Sequence, residues 1–212
     1  MLVIGLTGAT GSGKGVFGKT AKESFGALHI DTDRTAREVV KPGMPCLADI
    51  RAHFGEGVLR ADGTLDRAAL AEIVFSDAEK LALLNKLTHH YITDEVRAQL
   101  KKAEADGVPL AVIDAPLLFE SGENAICDVT VGVIADEKTR LARIMQRDGI
   151  TEDAAKKRIA SGKTAGFFRE NCDYILENNS DSETGFRGQV ETLLTELLDG
   201  HRAAAKRGAG KL

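Results

Sequence analysis

The segment GATGSGKG, residues 8–15, places glycines and a lysine at the spacing of a phosphate-binding loop. It fits the pattern G-x-x-x-x-G-K, which lies between a strand and a helix in proteins that bind nucleotides. Glycines let backbone N–H groups converge on a phosphate, and the N-terminus of the following helix adds partial positive charge. A cation at the position of the lysine then reaches the outer phosphates. The predicted phosphate site comprises Gly8, Thr10, Gly11, Ser12, Gly13, Lys14, Gly15 and Val16.

Position 15 departs from the usual pattern, in which a serine or threonine that binds Mg²⁺ follows the lysine. Gly15 has no hydroxyl group, and Val16 does not supply one. Three interpretations stay open. Mg²⁺ is held through waters, or Thr10, Ser12 or a nearby carboxylate supplies the missing oxygen, or metal binding is lost and the protein binds a nucleotide without catalysis.

Three aspartates follow apolar runs that have the pattern of buried strands. Asp31 ends ALHID, Asp33 comes two residues later, and Asp114 follows the run from Leu110 to Ile113. In open α/β sheets, ligands bind beyond the carboxyl ends of the strands. If the backbone at 31–33 is extended, both carboxylates point to one side, where one holds a water of Mg²⁺ and the other accepts a proton from an attacking hydroxyl. Capping of a helix or turn is the alternative for each aspartate.

Strand-like and helical patterns alternate along the chain. Runs with the pattern of buried strands are LVIGLT, ALHID, PLAVID, CDVTVGVIAD and DYILEN. Such alternation indicates a parallel sheet that helices cover on both faces. The mostly helical stretch between residues 33 and 108 is longer than one crossover requires, and it therefore predicts an inserted helical lobe.

Composition excludes several classes of protein. The net charge of −4 over 212 residues disfavours a general nucleic-acid binder, which is usually basic. No apolar run reaches the ~18 residues that a membrane-spanning helix needs. The three cysteines form no C-x-x-C pair, and the N-terminus lacks the basic region of a signal peptide. These features predict a protein of a reducing cytoplasm, with no membrane or nucleic-acid partner.

Beyond the loop, the order of motifs resembles that of the dephospho-coenzyme A kinases. The similar segments run from about residue 3 to 180 and include IGLTGATGSGKG, IDTDRTAREVVKPG, LNKLTHHYI, IDAPLLFESG, RLARIMQRDGIT and CDYILEN. The segments D-x-D-x-x-A-R-E and P-L-L-F-E are specific to that family, whereas many nucleotide-binding proteins share the loop.

The resemblance implies an α/β fold with the parallel-sheet core of P-loop kinases, a P-loop NTPase fold. It implies one domain over residues 1–200, with a helical substrate-binding lobe at about 35–108, a lid at about 148–172, and a basic, frayed tail at 201–212. The family uses Mg²⁺ and transfers the γ-phosphate of ATP to the 3′-hydroxyl of dephospho-CoA, the last step of coenzyme A biosynthesis. Its substrates are small molecules, and a monomer or small homo-oligomer is expected.

The same resemblance assigns roles to single residues. Asp33 orients or deprotonates the 3′-hydroxyl, and Asp31 with Asp114 binds Mg²⁺, through water, although the roles of Asp31 and Asp33 are interchangeable. Lys14 and Arg143 complete the catalytic set. Arg143 and Arg147 share one helix face with Arg140, and the first two are favoured to bind ATP. Substrate contacts are predicted for Asp33, Arg37, His89, Leu117, Phe119 and Arg158.

Three positions differ from the family's usual residues: Gly15, Gly162 in place of glutamine, and Phe168 in place of lysine. They keep two alternatives open. One is a kinase of another nucleotide or nucleoside, and the other is a degenerate ATP-binding regulator without transfer activity.

Overall fold

The computed structural model describes residues 1–179 and 183–209. Residues 180–182 and 210–212, which the predicted domain and tail include, lie outside this part. The strands are β1 Leu2–Gly8, β2 Leu28–Asp31, β3 Leu110–Asp114, β4 Val129–Ile134 and β5 Tyr174–Glu177. The α-helices are α1 Lys14–Phe25, α2 Thr32–Glu38, α3 Pro45–Phe54, α4 Arg67–Phe75, α5 Ala78–Ala105, α6 Glu137–Asp148, α7 Glu152–Ala160, α8 Ala165–Asn171 and α9 Glu183–Ala209.

Within the described residues, the strands form one five-stranded sheet in the order β2-β3-β1-β4-β5. The central strand β1 pairs in parallel with β3 and β4, and β4 pairs in parallel with β5. The register sets Leu6 opposite Asp114 and Gly8 opposite Val133, so the carboxyl ends of three strands lie at one edge. This arrangement confirms the predicted parallel α/β sheet.

One face of the sheet is covered by α1 and α9. Ile4 and Leu6 of β1 point into this layer, where Phe17 of α1 and Phe186 of α9 are fully buried. Buried aromatic and aliphatic side chains of this kind contribute most of the favourable free energy of folding. The contact holds α1, and therefore the loop before it, against the sheet.

The chain divides into two compact units. One comprises residues 1–30 together with the described residues from 103 onward, and the other comprises residues 31–102. In the second unit, Asp66 caps α4 by accepting from the backbone N–H groups of Ala68 and Ala69. The hydroxyl of Tyr91 donates to Asp49 across 2.5 Å and ties α5 to α3. The substrate-binding function predicted for residues 35–108 remains a prediction.

The C-terminal helix is longer than the sequence predicted. The backbone of α9 continues past residue 200 to Ala209, and the frayed tail predicted from residue 201 remains a prediction. The run from Ala203 to Ala205 explains the difference, because alanine has the highest helix propensity. Among the residues that the structure describes, no helix is both long and apolar enough to cross a membrane.

Replacing Phe17 tests the core. We expect Phe17→Ala to lower the free energy of unfolding by about 3–5 kcal/mol, because it leaves a cavity beneath α1. Equilibrium urea denaturation measures this change. Phe75→Ala is the matched control, since Phe75 is 78% exposed and should change stability little. Equal losses in the two variants would contradict the assigned core.

Candidate active site

Two glycines of the loop are required by close contacts as well as by backbone conformation. Gly8 has φ 149°, and a Cβ there would lie 2.2 Å from the carbonyl oxygen of Val133. Gly13 has φ 99°, and a Cβ there would lie 2.2 Å from Nδ2 of Asn178. Residues with a side chain rarely adopt these φ values, and at both positions the neighbouring atom leaves no room for a Cβ. The loop is therefore packed tightly between β4 and the end of β5.

Lys14 opens α1 and turns back over the loop. Its Nζ donates to the carbonyl oxygen of Gly8 across 3.1 Å. Gly13 is the N-cap of α1 and makes no side-chain cap, so no side-chain oxygen occupies the N-terminus of the helix. An anion at this position would meet both the helix N-terminus and an ammonium group, and the predicted binding of phosphate here remains a prediction.

Arg140 is buried against the loop. Its side chain is 8% exposed, and its Nε donates to the carbonyl oxygen of Thr10 across 2.9 Å. Burial lowers the pKa of this guanidinium. The sequence favoured Arg143 and Arg147 over Arg140, because helical spacing shows which arginines share a face but not which of them is buried.

Asn178 connects the loop to Arg143, and no motif in the sequence had assigned it a role. Its side chain is 3% exposed, and its Nδ2 donates to the carbonyl oxygen of Ser12 across 2.9 Å. Arg143 donates to the backbone oxygen of Asn178 at 3.0 Å and to its Oδ1 at 3.2 Å. Its position in the sequence could have predicted a role, because Asn178 is a polar residue directly after the strand DYILE and ligands bind beyond strand ends.

Arg147 and Arg158 bind a carboxylate instead of the loop. Arg147 donates to Asp148 through two nitrogens at 2.8 and 3.0 Å, and Arg158 of α7 forms an ion pair with the same carboxylate. The hydrogen bond from Arg147, with the charges of both arginines, lowers the pKa of Asp148 below its ordinary value. The predicted contacts of Arg147 with ATP and of Arg158 with substrate remain predictions.

The backbone after Asp31 is helical and not extended, which agrees with the capping alternative for Asp31. Oδ1 of Asp31 accepts from the N–H of Arg34 at 3.0 Å and caps α2, which begins at Thr32. Asp33 therefore lies in the first helical turn, and the alternation of side chains along a strand does not apply to this pair. Capping uses one carboxylate oxygen of Asp31, and the roles predicted for Asp31 and Asp33 remain predictions.

Asp114 ends β3 at the same edge of the sheet as the loop. Its side chain is 17% exposed, and its Oδ2 lies 3.7 Å from Nε2 of His29. Among the described residues, no cluster of three or more His, Cys, Asp or Glu side chains is arranged to hold a metal ion. The edge thus presents single carboxylates and not a closed metal cage.

The other predicted substrate residues are exposed or half-buried. Arg37 is exposed on α2, and His89 is half-buried on α5 within the unit of residues 31–102. Leu117 follows β3 and is 56% exposed, and the ring of Phe119 meets Phe167 edge to face at 5.9 Å. Their contacts with substrate remain predictions.

The segment predicted as a lid packs against the phosphate loop and β4 through its second helix, α8. Phe168 of α8, which stands where the resembled family has lysine, is 2% exposed and packs with Ala9 and Ile134. Lys163, just before α8, forms an ion pair with Glu120 at 2.9 Å. An apolar contact thus stands where the family comparison led us to expect a cation.

Comparisons with known proteins agree with the family resemblance and with the fold. The family model described as Dephospho-CoA kinase matches residues 2–184. A dephospho-CoA kinase of Moorella thermoacetica is 46% identical over 199 residues, which cover 93% of this chain and 92% of that protein. The crystal structure of TT1252 from Thermus thermophilus has a TM-score of 0.76 at 30% identity, with 92% of this chain and 97% of that chain covered. The structure of dephospho-CoA kinase from Campylobacter jejuni has a TM-score of 0.69 at 26% identity, and the match covers 94% of this chain and 98% of that chain.

The packing of the loop can be tested at Gly13. We expect Gly13→Ala to weaken ATP binding at least tenfold, because the added Cβ displaces Asn178 and strains the backbone. Isothermal titration calorimetry measures the dissociation constant. Gly15→Ala is the matched control, since a Cβ at position 15 meets no atom within 4 Å. The same loss of affinity in both variants would show that the contact with Asn178 does not matter.

Proposed function

The chain belongs to the dephospho-CoA kinase family, and we propose on this basis that it transfers the γ-phosphoryl group of ATP to the 3′-hydroxyl of dephospho-CoA, giving CoA and ADP. The family model covers nearly the whole chain, and the curated relatives have nearly the same length. The substrates are therefore ATP and dephospho-CoA.

The geometry of the loop is the observation that carries this proposal. Gly8 and Gly13 bring the backbone close to its neighbours, and Lys14 begins a helix whose N-terminus lacks a side-chain cap. The hydroxyl of Ser12 is buried and has no hydrogen-bond partner among the described residues. Buried hydroxyls are nearly always paired, so a phosphate oxygen that completes the loop would remove this cost.

The reaction assigns a task to each predicted side chain. Lys14 and Arg143 stabilise negative charge on the phosphoryl group as it moves. Asp33 orients the 3′-hydroxyl and accepts its proton while the oxygen forms a bond to phosphorus. The bond between the γ-phosphorus and the bridging oxygen breaks, and its electrons leave with ADP. Roles of this kind for Asp33 follow from the family resemblance.

The residues at the edge of the sheet suit Mg²⁺. Asp114 offers a partly exposed carboxylate at the end of β3, and the family resemblance adds Asp31 as a second candidate ligand. Mg²⁺ prefers oxygen ligands, keeps several waters and needs only one or two carboxylates, so a site without a cluster of acidic residues fits it. When bound, Mg²⁺ neutralises charge on the phosphates.

Two further properties belong to the proposal. We expect a cytoplasmic location, which the three unpaired cysteines support, since cytosolic thiols stay reduced. Burial raises the pKa of Cys46 and of Cys172 to about 11, so both remain protonated and unreactive at neutral pH. A monomer or small homo-oligomer remains the expectation.

The alternative of a regulator without transfer activity has one feature in its favour, the missing hydroxyl at Gly15. The intact contacts of Lys14, Arg143 and Asn178 around the loop weigh against it. A kinase of another nucleotide is disfavoured by the family match, which extends over residues 2–184.

Turnover of dephospho-CoA tests the function and the role of Asp33 together. We expect CoA to form with ATP and Mg²⁺, and Asp33→Asn to lower kcat by ~10²-fold or more with nearly unchanged ATP affinity. Coupled detection of ADP, with CoA identified by mass spectrometry, measures both. Glu38→Gln is the matched control, because it makes the same chemical change at another exposed position of the same helix.

Different results point to different errors. If ATP binds but no CoA forms above background, the regulator is correct and the proposed function is wrong. If Asp33→Asn and Glu38→Gln both keep the parent rate, Asp33 neither orients nor deprotonates the hydroxyl.

The open question at position 15 is tested by Gly15→Ser. Its side chain fits, since a Cβ meets no atom within 4 Å and the backbone φ is not positive. We expect the added hydroxyl to lower the Mg²⁺ concentration for half-maximal rate and to change kcat less than threefold, because the parent holds the ion through waters. Gly15→Ala controls for the lost flexibility. Activity that appears in Gly15→Ser and is absent from the parent would mean that the natural loop is disabled.

A further inference from the structure

His29 contacts two parts of the candidate site and has no assigned role. It lies in β2, next to β3 in the sheet. Its imidazole packs on Gly18, one turn after Lys14 in α1, and its Nε2 lies 3.7 Å from Oδ2 of Asp114. The ring thus touches the helix that follows the phosphate loop and the carboxylate predicted to serve Mg²⁺.

Gly18 provides the space that this ring occupies. A Cβ at position 18 would lie 2.6 Å from Nε2 and 2.7 Å from Cε1 of His29. Gly18 is inside α1 and has no positive φ, so its backbone does not require glycine. Glycine inside a helix is less favourable than alanine. The position of the imidazole is therefore the physical reason for glycine at this site.

Nε2 of His29 is buried and has no hydrogen-bond partner among the described residues. Buried polar atoms are almost always paired, and the carboxylate of Asp114 is the acidic group next to this nitrogen. An approach of roughly 0.5–1 Å brings the two atoms into the hydrogen-bond range of about 2.7–3.2 Å. A carboxylate accepts several hydrogen bonds, so this one is compatible with other partners of Asp114.

We propose that His29 is a positioning residue, whose Nε2–H donates to Oδ2 of Asp114 and fixes the orientation of that carboxylate, in a space that Gly18 leaves open. The inference rests on the proposed function, because the oriented carboxylate is the one predicted to hold a magnesium-bound water. His29 acts through Asp114 and touches no substrate. Side chains that orient a metal-binding group commonly change metal affinity or activity 10–100-fold.

A double-mutant cycle tests the pair of His29 and Gly18. We expect His29→Val and Gly18→Ala each to lower kcat about tenfold and to reduce the gain in ATP affinity that Mg²⁺ provides, with ATP affinity measured without Mg²⁺ unchanged. The double variant should be no worse than His29→Val, because no ring remains for the new methyl group to displace. His29→Gln should recover most of the activity, since its amide donates from a similar place.

Two outcomes of the cycle overturn the proposal. If the losses of the single variants multiply in the double variant, Gly18 does not act through the ring. If His29→Val keeps the parent kcat and the parent response to Mg²⁺, His29 positions nothing. Thermal unfolding of every variant separates these effects from simple loss of folded protein.

A second measurement needs neither turnover nor metal. The imidazole nitrogens of His29 are observed by NMR in the parent and in Asp114→Asn, and we expect a protonated Nε2 whose signal shifts when the carboxylate is removed. An unchanged signal overturns the contact, even in an active enzyme. If the signal shifts in Asp114→Asn but the parent forms no CoA, the proposed function is wrong and the contact between His29 and Asp114 stands.

Discussion

The structure depends on how closely the loop after β1 packs against its neighbours. At Gly8 and Gly13, the backbone lies so near to β4 and to Asn178 that a single carbon atom does not fit. The buried phenyl ring of Phe17 fixes α1 on the sheet behind the loop. These contacts hold the N–H groups and Lys14 in place before any nucleotide arrives, so binding need not order the loop. Position 15 is different, because a Cβ there would face open space. Packing therefore does not require glycine at this position.

Much of the fold was predictable because its signals are local. Buried parallel strands have continuous apolar sequences, and the five predicted strands are confirmed with boundaries that differ by a few residues. The loop was equally clear from glycine and lysine spacing. The sequence left the conformation after Asp31 open between an extended backbone and a capped helix, and the structure shows the capped helix, which begins at Thr32.

The missed site residues have a common cause. Arg140, Asn178 and His29 act through contacts with residues far away in the chain, such as Thr10, Ser12 and Asp114. Spacing within a helix or strand cannot show which distant backbone atom a side chain meets. The pairing of His29 with Gly18 is an example, because the glycine looks like an unfavourable residue within a helix until the ring beside it is seen.

The burial of Phe168 determines which part of the predicted lid is able to move. Displacing α8 would expose a phenyl ring that now packs on Ala9 and Ile134, at a cost of about 1.5–3 kcal/mol. Displacing α7 would remove the fully buried Ala155 from its packing and break the surface ion pair between Arg158 and Asp148. The phenyl ring of Phe168 is a larger buried apolar group than the methyl group of Ala155, so α8 resists displacement more than α7 does. Because Ala9 is part of the phosphate loop, the contact with Phe168 ties α8 to that loop, and movement of the segment 148–172 as a lid remains a prediction.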